Sequence, residues 1–451
     1  MNISDSERIA GILKLYGFKP LKKNKETDLS SKALAKADLI VFNTCGVRQM
    51  AEDRVYGQIH NLVTQGPKIK IILTGCLANR KDVQRRLKKK VDLFTDIKDF
   101  QENFEKFLYC HPEFISGSQE MLKQFQHDIN YLSISPNHTN KFTAYIPIMT
   151  GCNNFCSYCV VPYARGKEIS RPVDEIIKEV KDLVKKGYKE IILLGQNVNS
   201  YYETSFPEGS TFGFRRLNLR ENKNNFSQLL KKINSISGNF WISFISNHPK
   251  DFSDELIETA TKLKKVCEYI HLPIQAGDDK VLEKMNRKYT AKHYLGLIKK
   301  IKANFKKNKP KKLYSITSDI IVGFPGETKK QFLQSAEIMQ RVKYDMVYFG
   351  QYSPRPGTVA CKMKDNVSKK EKERREQYLN EILKKTSFAN NKKYVGKILE
   401  VLIDKEKNGV YFGRTRTMKN VRIISERKNL VGKIIKVRIT KANVWNLESN
   451  L

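Results

Sequence analysis

At 451 residues, 40% of them hydrophobic, the chain is too long for one ordinary core and carries enough apolar mass for two to four domains. No stretch approaches the about 18 consecutive apolar residues of a membrane span, and Met1–Glu7 lacks the basic start and apolar middle of a signal peptide, so the expectation is a cytoplasmic protein with no membrane partner. Lys and Arg number 83 against 47 Asp and Glu, a formal charge of +36, which points to an anionic partner, nucleic acid first, although a generally lysine-rich composition accounts for part of the excess.

In chain order, Ile9, Ile12, Leu13 and Tyr16 recur at helical spacing within a helix over 1–20. Ala37–Phe42 and Ile69–Leu73 are short apolar runs with a helix-like stretch between them, the pattern of a parallel α/β domain over 1–120. Cys45 and Cys76 then fall just past strand carboxyl ends, where such sheets bind ligands. Residues 115–140 are polar and read as a linker. Over 141–367 six strands are expected: Thr143–Met149, Glu190–Leu194, Trp241–Ile245, Tyr269–Leu272, Thr317–Val322 and Met346–Tyr352. Helices at Pro172–Lys186, Asp254–Leu263, Ala291–Ala303 and Lys329–Arg341 separate them, giving a partial (β/α)6 barrel whose chemistry belongs at the strand carboxyl ends. Glu203–Asn225 reads as a polar surface loop. A charged helical connector follows over 368–390. The tail, 391–451, holds 15 Lys and Arg against 5 acids in short β-type runs, a small basic β-barrel with Tyr411 and Phe412 exposed for RNA, or else a solvated contact barrel.

Eight cysteines in a reducing compartment are thiols or metal ligands rather than a disulfide framework. Three of them, Cys152, Cys156 and Cys159, form a C-x3-C-x2-C triplet directly after the first barrel strand. Three thiolates on a four-iron cluster leave one iron open, as a catalytic metal site leaves an open position. Zinc, the alternative, usually takes a fourth Cys or His at knuckle spacing, and none lies nearby.

This spacing, with Tyr158 before the last cysteine, resembles the radical S-adenosylmethionine superfamily. Cys159-Val-Val-Pro-Tyr-Ala-Arg-Gly166, Ser170-Arg-Pro172, Gly195-Gln-Asn-Val-Asn199, His271-Leu-Pro-Ile-Gln-Ala-Gly277, Gly323-Phe-Pro-Gly-Glu-Thr328 and Ser353-Pro-Arg-Pro-Gly-Thr358 narrow the resemblance to its methylthiotransferase branch, over essentially the whole chain. The resemblance implies an N-terminal α/β domain, a radical barrel and a C-terminal TRAM barrel. It implies an open iron holding S-adenosylmethionine, and a 5′-deoxyadenosyl radical from its cleavage. Within the branch, Leu194–Tyr201 is most similar to enzymes that add a methylthio group at C2 of N6-isopentenyladenosine at tRNA position 37. Threonylcarbamoyladenosine in tRNA is the alternative substrate, and a catalytically impaired RNA-binding paralogue the alternative of another class. A flavodoxin- or ferredoxin-type reductant and a monomer are implied, and the sulfur donor is unknown.

By the same resemblance, Tyr158, Gln196, Asn197, Gln275 and Gly323 are expected around S-adenosylmethionine or the substrate base, with loop capping or a plain turn as the structural alternative. His271 reads as a core histidine and Arg355 as a phosphate contact or a structural ion pair. Cys45 and Cys76 match two of the three ligands of the branch's auxiliary 4Fe–4S cluster. The third belongs to a first strand, Gly-Cys-Gln-Met-Asn, that this sequence does not contain. A start site placed too far downstream is expected over a truly short, crippled domain, because a missing strand leaves a gap in a parallel sheet. Cys110, Cys267 and Cys361 match no ligand position.

Overall fold

A computed structural model describes residues 1–21, 37–46, 49–65, 69–114, 131–203 and 224–451. The chain divides into two compact units: 1–139 with 159–167, and 140–158 with 168–451.

In the first unit, β1 (Leu39–Thr44), β2 (Lys70–Gly75) and β3 (Leu93–Phe94) form a parallel sheet in that order, with Leu39 opposite Lys70 and Thr44 opposite Gly75. The strand period of two sends Ile72 to one face and Ile71 and Leu73 to the other. On the first face Ile72 packs with Ile9, Ile12, Phe100 and Phe104; on the second, Ile71 and Leu73 pack with Ile59, Leu62, Leu77 and Val83. The helix expected over 1–20 spans Asn2–Leu15 and stops before Gly17, whose φ of 83° no helix continues through. The expected linker is corrected at its end: Tyr131, Leu132 and Ile134 are buried in the same core as Phe104, so this stretch is domain rather than tether. Residues 115–130 of that linker lie outside the described residues.

In the second unit, β4 (Thr143–Pro147) continues after Ile148 into β5 (Met149–Thr150), which pairs with β6 (Ile169–Ser170). Strands β7 (Glu190–Leu194) and β8 (Trp241–Phe244) complete a parallel sheet in the order β4-β7-β8. A second parallel sheet holds β9 (Tyr269–His271), β10 (Ser315–Val322) and β11 (Met346–Gln351), with β10 central. A parallel bridge between Ile242 and Val266 links the two sheets, giving the six expected barrel strands. The helices Val173–Lys185, Phe226–Ser235, Asp254–Lys262, Ala291–Asn308 and Lys329–Val342 cover the outside. Their apolar stripes (Val173, Ile176, Val180 and Leu183 in the first) meet the buried strand residues in one core. Capping boxes at Asn225 and Thr328 set two of the helix starts. Of the expected surface loop, 204–223 lies outside the described residues.

The expected connector is one helix, Lys369–Lys392, and it is part of the barrel wall: Leu379 and Leu383 are buried in the barrel core, and Arg375 pairs with Glu327 at 2.9 Å. After it, β12 (Ile398–Lys407), β13 (Val410–Thr415), β14 (Asn420–Ile424), β15 (Ile434–Ala442) and β16 (Leu447–Asn450) close a barrel in the order β12-β13-β14-β16-β15. Tyr411 is corrected from exposed to buried. It lines the core of this barrel, and its hydroxyl donates to Arg427 O. Phe412 is half-buried under Lys405.

The small barrel docks on the amino ends of the large barrel's strands. Arg414 pairs with Glu190 at the start of β7, Arg416 with Glu268 before β9, and Lys419 with Asp345 before β11; Ser315 at the start of β10 donates to Thr417 O. Trp241, Cys267 and Leu402 fill the seam. The carboxyl ends of the strands stay clear of it. No described helix is long and apolar enough to cross a membrane.

Candidate active site

The loop after β5 carries Cys152 and Cys156, and a second segment clamps it. Ser157 N donates to Met285 O at 3.0 Å and its hydroxyl to Lys284 O at 2.8 Å. Asn286, at φ 56°, donates its side-chain amide to Phe155 O at 2.9 Å, and Ala360 N reaches Ser157 O at 2.7 Å. Phe155 itself adopts φ 47°, a conformation a bulky residue holds only where its surroundings fix it. The Arg287 guanidinium approaches Cys156 Sγ at 3.3 Å, and the Asn154 amide approaches Cys152 Sγ at 3.5 Å. Burial pushes the Cys152 thiol up, against the donors of Asn154. Cys159, half-buried, opens the short segment 159–167 that belongs to the first unit.

Polar atoms without partners collect at the carboxyl ends of β7 and β8. Gln196 Oε1, Asn197 Oδ1, Asn247 Oδ1 and His248 Nε2 are buried and make no hydrogen bond among the described residues. Asn197 is held through its amide by Asp251 at 2.7 Å, and Asn247 through its amide by His271 O at 2.8 Å. Buried polar atoms are ordinarily satisfied, so four orphans at one mouth mark a place for a polar ligand. Lys250 N donates to His248 Nδ1 at 3.2 Å, which leaves the proton on Nε2. Burial, reinforced by Arg287 and Lys250, pulls the His248 pKa down to about 2, so the ring stays neutral and offers an N–H donor.

Gln275 continues β9 past a kink, at φ 74°, where its backbone pairs with Asp319 and Ile321. At Gly323 a side chain would strike Lys372 Cγ at 2.4 Å, so close packing against the 369–392 helix explains this glycine without a ligand. His271 is buried, with Nδ1 2.9 Å from the Thr317 hydroxyl and Nε2 3.5 Å from Asp319, in keeping with a satisfied core histidine. Tyr158 is half-buried against the barrel core. Arg355 is buried beside the Thr358 turn.

In the first unit the β1–β2 register sets Thr44 opposite Gly75, which brings the following residues, Cys45 and Cys76, to neighbouring strand ends. A side chain at Gly75 would meet Thr44 O at 2.5 Å, and one at Gly46 would press on Cys76 Cβ at 3.1 Å, so both cysteines sit beside glycines that permit the approach. Cys110 is exposed at the end of the Phe100–Cys110 helix and is not assigned to this pair.

Residues 146–339 match the Radical SAM superfamily, 1–96 the uncharacterized protein family UPF0004, and 392–451 the TRAM domain. A tRNA-2-methylthio-N(6)-dimethylallyladenosine synthase of Thermoanaerobacter sp. is 40% identical over 458 residues, covering 100% of this chain and 90% of that protein. The chain belongs to the methylthiotransferase family of radical S-adenosylmethionine enzymes. A synthase of the same name from Clostridium botulinum is 38% identical over 99% of this chain and 94% of its own length, and one from Finegoldia magna 39% identical over 100% and 92%. The chain also resembles a solved radical S-adenosylmethionine methyltransferase from Kitasatospora setae, at TM-score 0.53 and 12% identity over 79% of this chain and 73% of that one, a likeness of fold alone.

Membership implies a 4Fe–4S cluster and S-adenosylmethionine, and this methylthiotransferase has donors that fit both. No three described His, Cys, Asp or Glu side chains converge as a single ion requires. A cubane is instead held one thiolate per iron, so its ligands stand apart. The orphaned atoms of Gln196, Asn197, Asn247 and His248 suit the amino, carboxylate and ribose groups of S-adenosylmethionine. Sequence reasoning reached Gln196 and Asn197 but not Asn247, His248, Asn286 or Arg287. The available signal was Ser-Asn-His-Pro directly after the expected strand Trp241–Ile245. Replacing His248 by Phe is expected to weaken S-adenosylmethionine binding about tenfold, the worth of one hydrogen bond to a charged group. Equilibrium dialysis on the anaerobic holoprotein checks this, and unchanged affinity would remove His248 from the site.

Proposed function

We propose that this enzyme adds a methylthio group at C2 of N6-isopentenyladenosine in the anticodon loop of tRNA. The observation that carries the reading is full-length similarity, at 38–40% identity, to synthases named for that product, together with retention of the triplet Cys152, Cys156 and Cys159. The triplet would hold the radical cluster, with Tyr158, Gln196, Asn197 and Gln275 around S-adenosylmethionine. Cys45 and Cys76 would supply two thiolates to an auxiliary 4Fe–4S cluster. When bound, the radical cluster supplies the single electron that cleaves S-adenosylmethionine. The chain's own part is to seat the cofactor, exclude water and present the base, which must leave its stack to be reached.

The TRAM barrel supports a tRNA substrate. Arg414, Arg416 and Lys419 are spent on the docking ion pairs, whereas Lys405, Arg427, Lys428, Lys433, Lys436 and Lys441 stay exposed for phosphates. Its placement at the amino ends keeps this barrel itself away from the strand carboxyl ends. A flavodoxin- or ferredoxin-type protein would donate the electron to a monomeric, cytoplasmic enzyme. Mass spectrometry of tRNA nucleosides from a deletion strain tests the assignment. Isopentenyladenosine should accumulate without its methylthio form and recover on complementation with the wild-type gene. An unchanged level of the methylthio form, with loss of methylthio-threonylcarbamoyladenosine instead, would overturn it.

A further inference from the structure

Among the described residues, Arg287 is a buried cation with no carboxylate partner. It is 8% exposed. Its Nε donates to the Tyr289 hydroxyl at 2.8 Å, Nη2 reaches Pro273 O at 3.4 Å, and Nη1 faces Cys156 Sγ at 3.3 Å. Two other buried arginines of the same unit have acids: Arg171 pairs with Glu179 and Arg375 with Glu327. A guanidinium remains protonated at any ordinary pH, and a buried charge with no counter-ion is strongly unfavourable. Of the three groups that Arg287 contacts, the Cys156 sulfur is the one that becomes an anion when it ligates iron. The contact is also well enforced. Arg287 follows the clamp residues Lys284, Met285 and Asn286, and the Tyr289 hydroxyl that accepts from Nε is itself anchored on Ile274 O at 2.7 Å.

We propose that Arg287 is the counter-charge of the cluster held by Cys152, Cys156 and Cys159, and raises its reduction potential by stabilising the more negative, reduced state. The proposal rests on the reading that this triplet carries a redox cluster. One electron passes from a flavodoxin- or ferredoxin-type donor to the cluster, the donor is oxidised by one electron, and no bond or proton changes at Arg287. It is a positioning residue, because it acts through the cysteinate and touches no reacting atom.

The test is a potentiometric titration of the anaerobically reconstituted full chain, followed by electron paramagnetic resonance on the signal that S-adenosylmethionine perturbs. Wild type, Arg287→Lys and Arg287→Met are compared at measured iron content. In Arg287→Met the ratio of reduced to oxidised cluster at a fixed potential should fall about tenfold, ~59 mV for a one-electron couple, with Arg287→Lys between the two. An unchanged midpoint in both variants at full iron overturns the proposal. Thermal melting of the iron-free chains decides independently, even if Arg287→Met takes up no cluster. Removing an uncompensated charge should leave apo Arg287→Met at least as stable as apo wild type, and a clear loss would make Arg287 an ordinary structural residue and overturn the proposal. A wild-type holoprotein with no signal responsive to S-adenosylmethionine overturns the reading beneath it instead.

Discussion

Replacing Cys156 by alanine is expected to abolish reductive cleavage of S-adenosylmethionine and to lower the iron content by about four atoms per chain. A cubane that keeps one iron open has no protein ligand to spare. The loop itself should survive, because Ser157, Phe155 and Asn154 are tied to Lys284, Met285 and Asn286 by bonds that do not involve the Cys156 sulfur. The loss is therefore chemical rather than a failure to fold, and far-ultraviolet circular dichroism should match wild type. Cys45→Ala provides the contrast: cleavage of S-adenosylmethionine should persist while methylthio transfer is lost. Equal loss of cleavage in both variants would contradict the division of labour between the two cysteine sets.

The second large effect is on stability. Glu268 is 2% exposed and faces Arg416 at 2.9 Å, Lys309 at 2.9 Å and Lys312 at 3.5 Å, at the seam between the two barrels. Burial opposes its ionisation, but the Arg416 and Lys309 cations prevail and hold its pKa at about 2, below the ordinary 4.5. Glu268→Gln leaves Arg416 and Lys309 buried without their anion and should cost about 3–5 kcal/mol, a large share of a domain's stability. Denaturant unfolding checks the size, and pH checks the cause. A depressed carboxyl pKa contributes stability above about 4.5 that is lost as pH falls towards about 2. The gap between wild type and Glu268→Gln should therefore be full near neutrality and close across that acid window. A gap independent of pH would show that shape, and not charge, is what Glu268 supplies.

Both effects bear on what the sequence makes legible. The six large-barrel strands read correctly because parallel strands buried on both faces are short apolar runs, such as Ile191–Leu194. The triplet stood out because its three cysteines are close in sequence. The closing strand of the small barrel, Leu447–Asn450, did not, since Leu-Glu-Ser-Asn has no strand pattern and forms only by pairing with β14 and β15. The helix 369–392 looked like a tether because its core contacts, Leu379 and Leu383, are two apolar residues in a highly charged run. Tyr411 looked like an RNA contact because alternation alone does not say which face of a barrel strand points inward. The partners of the triplet's loop were least legible: Arg287 lies 131 residues from Cys156, and only the folded barrel brings a guanidinium to that thiol.

The central claim meets its most direct test in a single reaction. The purified, reconstituted full chain is incubated anaerobically with S-adenosylmethionine, a low-potential reductant and tRNA bearing N6-isopentenyladenosine, and the digested nucleosides are analysed by mass spectrometry. The account predicts 2-methylthio-N6-isopentenyladenosine with 5′-deoxyadenosine released alongside it, and neither with the Cys156→Ala chain. Release of 5′-deoxyadenosine with the tRNA adenosine unchanged, while tRNA bearing threonylcarbamoyladenosine is converted, would contradict it.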